Sequence, residues 1–184
     1  MKQTPSQTVG PYLRIGLIYG EGQNILVNDQ TSGERITISG CLYDGNGELV
    51  LDGLIEIWQA DAQGIYPHPN DPRHDQADPH FRGFGRAETR REGQFHFSTI
   101  KPGSSEGHAP YINVKVFSRG MLIHAYTRIY FSDEEGNVHD PVLSSVVPDR
   151  RQTLIAARQE SDNIPTYCFD IHLQGDEETV FFDP

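Results

Sequence analysis

The sequence predicts an all-β protein, a β-sandwich with one short helix and long loops. Apolar residues recur at alternate positions in short runs along the chain, the period of a strand with one covered face. The chain carries 18 Gly and 12 Pro among its 184 residues, a turn-rich composition that favours many short strands over long helices. Only one stretch, residues 147–160, joins a helix-start signal to an apolar face.

The elements follow in order. Pro5 and Pro11 hold residues 1–12 as an extended N-terminal arm, because proline lacks a donor and restricts the residue before it. Tyr12, Leu13, Ile15, Leu17 and Ile18 then continue it with apolar side chains that need cover. ERITISGCLY (34–43) sets Ile36, Ile38 and Leu42 on one face, and the turn GNGE (45–48) supplies an Asn-Gly hairpin signal. LVLDGLIEIWQA (49–60) is apolar on both faces around Glu56 and reads as a central strand. GQFHFSTI (93–100), YINVKVF (111–117), MLIHAYTRIYF (121–131), TYCFDIHL (166–173) and a short ETVFF (178–182) complete the strands. In VPDRRQTLIAARQE (147–160), Asp149 and Gln152 have the spacing of a capping box and predict the helix. Residues 61–86 form one long loop, a length that is usually functional or disordered.

No repeat or composition break divides the chain, so residues 1–184 are read as one domain, which at this size buries roughly 70% of its unfolded surface. With 15 Lys+Arg against 26 Asp+Glu, the net charge of −11 repels phosphate backbones and argues against nucleic acid. An anionic ligand requires arginines gathered locally. The N-terminus lacks the apolar core of a signal peptide and no run of about 18 apolar residues exists, which argues against a membrane and for a cytoplasmic location. Cys41 and Cys168 lie in strand-like segments and read as small buried hydrophobes rather than a disulfide.

Candidate chemistry is sparse. His68, His74 and His80 alternate with Asp71, Asp75 and Asp78 in the long loop. They could bind a metal if the loop folded back, although solvated loop polarity is the favoured reading because no regular element imposes convergence. His108 and His124 flank the 111–117 strand and invite the same question. No G-x-S-x-G is present, and neither cysteine has an activating neighbour. Arg128 lies in AYTRIYF among aromatics. It either pairs with a carboxylate such as Glu56 or Asp170, or faces a pocket and fixes an anion by charge-assisted hydrogen bonds.

TPSQTVGPY (4–12), GLIEIWQADAQGIY (53–66), DPHFRGFGR (78–86), FSTIKPG (97–103) and PYINVKVFSRGM (110–121) with TRIYF (127–131) occur in this order. Together, over about Thr4 to Phe182, they resemble the intradiol ring-cleavage dioxygenases. The resemblance implies the β-sandwich of that family and a non-haem ferric iron held by two tyrosines and two histidines. That site cleaves a catechol ring with dioxygen between its two hydroxylated carbons. The family's two histidines lie two residues apart on the strand matching PYINVKV, where this sequence has Tyr111 and Asn113. Counting back from Phe81 puts Arg73 at one ligand tyrosine, and GSSEGHAP (103–110) offers no tyrosine at the other.

The resemblance is therefore to the iron-free subunit type. It implies Fe(III) on a homologous catalytic β subunit, an αβ hetero-oligomer, and a small aromatic acid as substrate. By the same resemblance Thr8, Gly10 and Pro11 lie on an arm that reaches the partner's active site, and Arg128 supports the anionic substrate electrostatically. Two other expectations stay open: a non-catalytic β-sandwich ligand-binding module, and a self-sufficient metalloenzyme using the 61–86 histidines.

Overall fold

The computed structural model describes residues 3–89, 92–160 and 163–183, with the backbone alone at Pro11 and Arg14. Its strands are β1 (Arg35–Tyr43), β2 (Leu54–Trp58), β3 (Phe84–Glu88), β4 (Gln94–Ile100), β5 (Tyr111–Phe117), β6 (Ala125–Phe131), β7 (Ile155–Gln159), β8 (Thr166–Cys168) and β9 (Ile171–His172). They join in the order β3-β2-β5-β6-β7-β8-β1-β4, with β9 beside β1. Strand β7 pairs in parallel with β6 and antiparallel with β8. It thereby links two layers, β3-β2-β5-β6 and β8-β1-β4, that fold over one another as a sandwich.

Alternation decides which residues lie between the layers. Ile55, Ile57, Ile112, Val114, Val116, Ile129 and Phe131 from one layer meet Ile36, Ile38, Leu42, Phe95 and Phe97 from the other in one buried cluster. Ile36, Ile38 and Leu42 are the positions that the period of two selects in 34–43. A smaller cluster of Ala109, Tyr130, Leu143, Val146 and Leu154 closes one side, beneath the short helix α2 (Pro141–Ser145).

Several expectations are corrected. The extended arm ends at Gly10, because residues Pro11–Leu17 form the helix α1. Proline suits a first helical position, its φ being preset and its missing N–H needing no partner. Residues 1 and 2 of the arm lie outside the described residues. The predicted helix at 147–160 is a 3-10 turn over Pro148–Leu154 that gives way to β7. Asp149 falls inside its first turn, and Val147, which cannot cap through its side chain, sits at the cap. Strand β3 begins within the last three residues of the predicted loop, and among the described residues ETVFF forms no strand but the single bridge Tyr126–Phe182.

The loop after β2 is ordered by its carboxylates. Buried Asp61 accepts from the amides of Gln63, Ile65 and Asp78 at 2.9–3.0 Å. Asp71 accepts from the amides of Tyr66 at 3.0 Å and Arg73 at 2.8 Å, and the Arg73 Nη2 donates on to the Gly64 carbonyl at 2.8 Å. Among the described residues, no helix is long and apolar enough to cross a membrane.

Candidate functional site

The side chains that alternate away from the core of β3-β2-β5-β6 form one polar and aromatic face. The register sets Trp58, Asn113 and Arg128 in a row across β2, β5 and β6. Tyr111 stands beside Tyr130 in the next pair, and Glu56, Lys115 and Tyr126 form another row. The 61–86 loop folds back over this face, stacking Tyr66 on Trp58 at 5.6 Å between ring centres.

A continuous hydrogen-bond network occupies the centre. Tyr126 Oη donates to Asn113 Oδ1. Asn113 Nδ2 donates to the Trp58 carbonyl at 3.2 Å and to Tyr66 Oη at 3.3 Å, and Tyr66 Oη donates to Tyr111 Oη at 3.2 Å. The Arg128 guanidinium lies 4.1 Å over the Tyr111 ring, and its Nη1 donates to Tyr130 Oη at 3.4 Å. Tyr130 Oη donates to buried Asp140 at 2.9 Å, whose second oxygen lies 3.0 Å from His108 Nδ1.

Burial fixes the charges of these groups. It pushes the Tyr66 hydroxyl well above its ordinary value, aided by the hydrogen bond to Tyr111. Tyr130 is raised chiefly by burial as well. Burial alone would lower the Arg128 guanidinium, but the hydroxyls of Tyr130 and Tyr126 hold it above its ordinary value, so the cation persists. The network thus joins phenol hydroxyls to one cation, Arg128, and to one carboxylate, Asp140, with Tyr130 between the two.

Ferric iron does not fit such a donor set. It binds through phenolates and imidazoles, whereas Asn113 offers an amide already engaged on both atoms and the Tyr66 hydroxyl is spent between Asn113 and Tyr111. His108 is turned to Asp140, and its ring meets Tyr111 edge-on at 5.6 Å. His124 packs on Phe117. Arg73 is spent on Asp71 and Gly64.

The loop histidines do not converge. His68 meets the edge of Trp58, His74 lies 3.2 Å from Asp75, and His80 follows the Asp78 turn. Among the described residues, no three His, Cys, Asp or Glu side chains could hold a metal. Asp71 and Asp78 are consumed by backbone amides instead.

The other site residues separate into two places. Arg128 reaches neither Glu56, which accepts from Arg86 Nε at 2.6 Å, nor Asp170, which accepts from the Cys41 amide at 2.8 Å. Thr8 Oγ1 accepts from the Gly120 amide at 2.9 Å, which ties the arm to the β5–β6 turn. Gly10 faces open space, and Pro11 begins α1. Among the described residues, the arm bonds to Gly120, whereas Arg128 meets Tyr111 and Tyr130. Sequence reasoning missed Tyr66, Asp140 and the part played by Trp58. For Trp58 a signal existed, since it alternates outward with Glu56. Tyr66 and Asp140 come from loops, where no period sets reach.

Comparison with known proteins adds an independent line. A family model described as Dioxygenase matches residues 10–175. The protocatechuate 3,4-dioxygenase alpha chain of Pseudomonas putida is 42% identical, over 100% of this chain and 97% of that one. The protocatechuate 3,4-dioxygenase beta chain of Burkholderia cepacia is 33% identical over 85% of this chain and 72% of that one. Among solved structures, the dioxygenase domain of a carbohydrate-binding fusion from Streptomyces sp. SirexAA-E superposes with a TM-score of 0.67 at 26% identity, covering 94% of this chain and 99% of that one.

Proposed function

This chain belongs to the dioxygenase family of intradiol ring-cleaving enzymes, and from that premise we propose that it is the iron-free α subunit of a protocatechuate 3,4-dioxygenase. The full-length likeness to an alpha chain carries the reading. The ligand-poor strand of Tyr111 and Asn113 supports it, because a family that depends on non-haem Fe(III) then needs the metal on another chain. A homologous β subunit would hold that iron in a cytoplasmic αβ hetero-oligomer. The iron there supplies activation of the catechol ring toward dioxygen. The complex cleaves 3,4-dihydroxybenzoate between its two hydroxylated carbons, and both atoms of O2 enter the product, 3-carboxy-cis,cis-muconate.

This chain's part is to help shape and charge the partner's pocket. Arg128 has no carboxylate partner among the described residues, so its cation is available to an anionic substrate. Thr8 uses its oxygen as an acceptor and keeps its O–H to donate. Gly10 has no Cβ to hold a ligand off its backbone, and the fixed φ of Pro11 directs the arm's exit. The arm and Arg128 occupy different parts of the β5–β6 hairpin, so a partner that meets both must span it.

The test uses the chain co-expressed with a homologue bearing two tyrosines and an H-x-H strand. The complex should contain iron and cleave the ring, while the chain alone should stay colourless. A ferric-tyrosinate colour on the isolated chain overturns the iron-free reading. Within the complex, Arg128→Ala should cut turnover by about ten- to a hundredfold, the value of a charge-assisted hydrogen bond, at unchanged iron content. Wild-type kinetics would return Arg128 to a purely structural place.

A further inference from the structure

A cavity of about 310 Å³ opens on the outer face of β2, β3, β5 and β6, lined by Glu56, Trp58, Phe84, Asn113, Lys115 and Tyr126. Nothing in the proposed function uses it. Its volume falls at the lower end of small-ligand pockets, roughly 300–1,000 Å³. Three of its walls are rings, and Trp58 and Phe84 are cross-strand partners in the β2–β3 register. Such a slot takes a flat apolar body.

The polar groups limit the ligand further. Asn113 donates both N–H groups inward, to the Trp58 carbonyl and to Tyr66, and its oxygen receives the Tyr126 proton. Tyr126 has thereby committed its only donor, and with its oxygen also turned to Arg128 it keeps one acceptor position, so a ligand that meets it must itself donate. Glu56 is neutralised by Arg86. Lys115, opposite both Glu56 and Tyr126 in the register, is exposed and has no hydrogen bond or ion pair among the described residues. One cation therefore stands uncompensated at the rim of a cavity on a chain of net charge −11.

We propose that this cavity is a binding site for a small hydroxylated aromatic monocarboxylate, with its ring among Trp58, Phe84 and Tyr126, its hydroxyl donating to Tyr126 Oη and its carboxylate on Lys115. The site needs no metal and performs no cleavage. It goes beyond the proposed function, which it meets only in that the complex's substrate is a molecule of this class. It would bind the same compounds on a chain that does not turn them over.

The probe is 4-hydroxybenzoate, which has one ring hydroxyl and so cannot be cleaved between two hydroxylated carbons. Equilibrium dialysis against the αβ complex counts all bound probe, while the change in the ferric-tyrosinate band counts probe at the iron alone. The expected result is one further equivalent per αβ unit beyond the optical count. Lys115→Gln, an exposed change that disturbs no packing, should weaken that equivalent about ten- to a hundredfold, and Phe84→Leu, which thins the ring slot outside the Tyr66–Asn113–Arg128 network, should weaken it as well, with ring cleavage unaltered in both. Equal dialysis and optical counts would overturn the proposal. So would a further equivalent that survives both substitutions. A complex with neither iron nor ring cleavage would instead refute the proposed function, and the dialysis count would still decide this site.

Discussion

Asp140 shows how much of the outer-face network hangs on one carboxylate. Its Oδ1 accepts from Tyr130 Oη and from the amides of Val142 and Leu143, and its Oδ2 from the Ala109 amide and His108. It caps α2 and at the same time fixes the phenol to which Arg128 donates. Burial pushes this carboxyl up, but the Leu143 amide, Tyr130 and His108 outweigh it and hold it below the ordinary carboxylate range. Asp140→Ala strands several buried donors, and a loss of about 3 kcal/mol in chemical denaturation is expected. A loss under about 1 kcal/mol would show that water replaces it. At this scale the resemblance pointed to Tyr111 and Asn113, and the strand period of two sets both on one face of β5. It was silent about Asp140 and Tyr66, which reach the face from loops with no repeating geometry.

Among the elements, the strands with one covered face were legible and those with unusual neighbours were not. The period of two picks out Ile36, Ile38 and Leu42 in β1 and Ile112, Val114 and Val116 in β5, and all are buried. Strand β3 begins among the glycines of RGFGR, where Gly85 admits Leu26 so closely that a Cβ would stand 2.5 Å from its Cδ1. Glycine hides a strand because propensity counts against it. Strand β7 carries Ala156 and Ala157, which favour a helix in isolation, and tertiary pairing between β6 and β8 overrides them. Gly40 in β1 makes a similar close approach, since a Cβ there would lie 1.8 Å from the Phe169 carbonyl oxygen. Gly40→Ala should therefore cost about 2–4 kcal/mol in a denaturant titration, whereas Gly47→Ala, beside open space but at positive φ, should cost about 1 kcal/mol. The long loop has its own sensitivity. The Arg73 amide, the Tyr66 amide and the Arg73 guanidinium lower the Asp71 carboxyl from 3.8 to about 2. A depressed carboxylate stabilises above its unfolded value and loses that contribution as pH falls. Amides of Tyr66 and Arg73 should thus lose hydrogen-exchange protection between about pH 4 and about pH 2, and Asp71→Asn should abolish this dependence on acid.

For the whole molecule, the sandwich and its surface answer to different constraints. The core closes from within this chain, yet Tyr12, Ile15, Leu122 and Ile123 remain 64–85% exposed. Leu122 and Ile123 share a surface depression with Ser6, Gln7 and Val9 of the arm, and Ile15 shares another with Val9 and Gly10. Apolar side chains gathered at one end of a strongly charged protein mark a surface made to be covered. Under the proposed function the arm serves association and the partner's pocket more than folding. Among the described residues, Thr8 ties the arm to the body through the Gly120 amide, an exposed bond that contributes on the order of 1 kcal/mol. Removing residues 1–10 leaves both hydrophobic clusters untouched. The truncated chain should melt within about 4 °C of the intact one by differential scanning fluorimetry, the shift that such a bond produces at this size. The co-expressed complex, however, should lose turnover about tenfold or more, because the groups around Gly10 no longer reach the pocket. A truncated complex that keeps full turnover would remove the arm from the site, and a large drop in melting temperature would make it part of the fold instead.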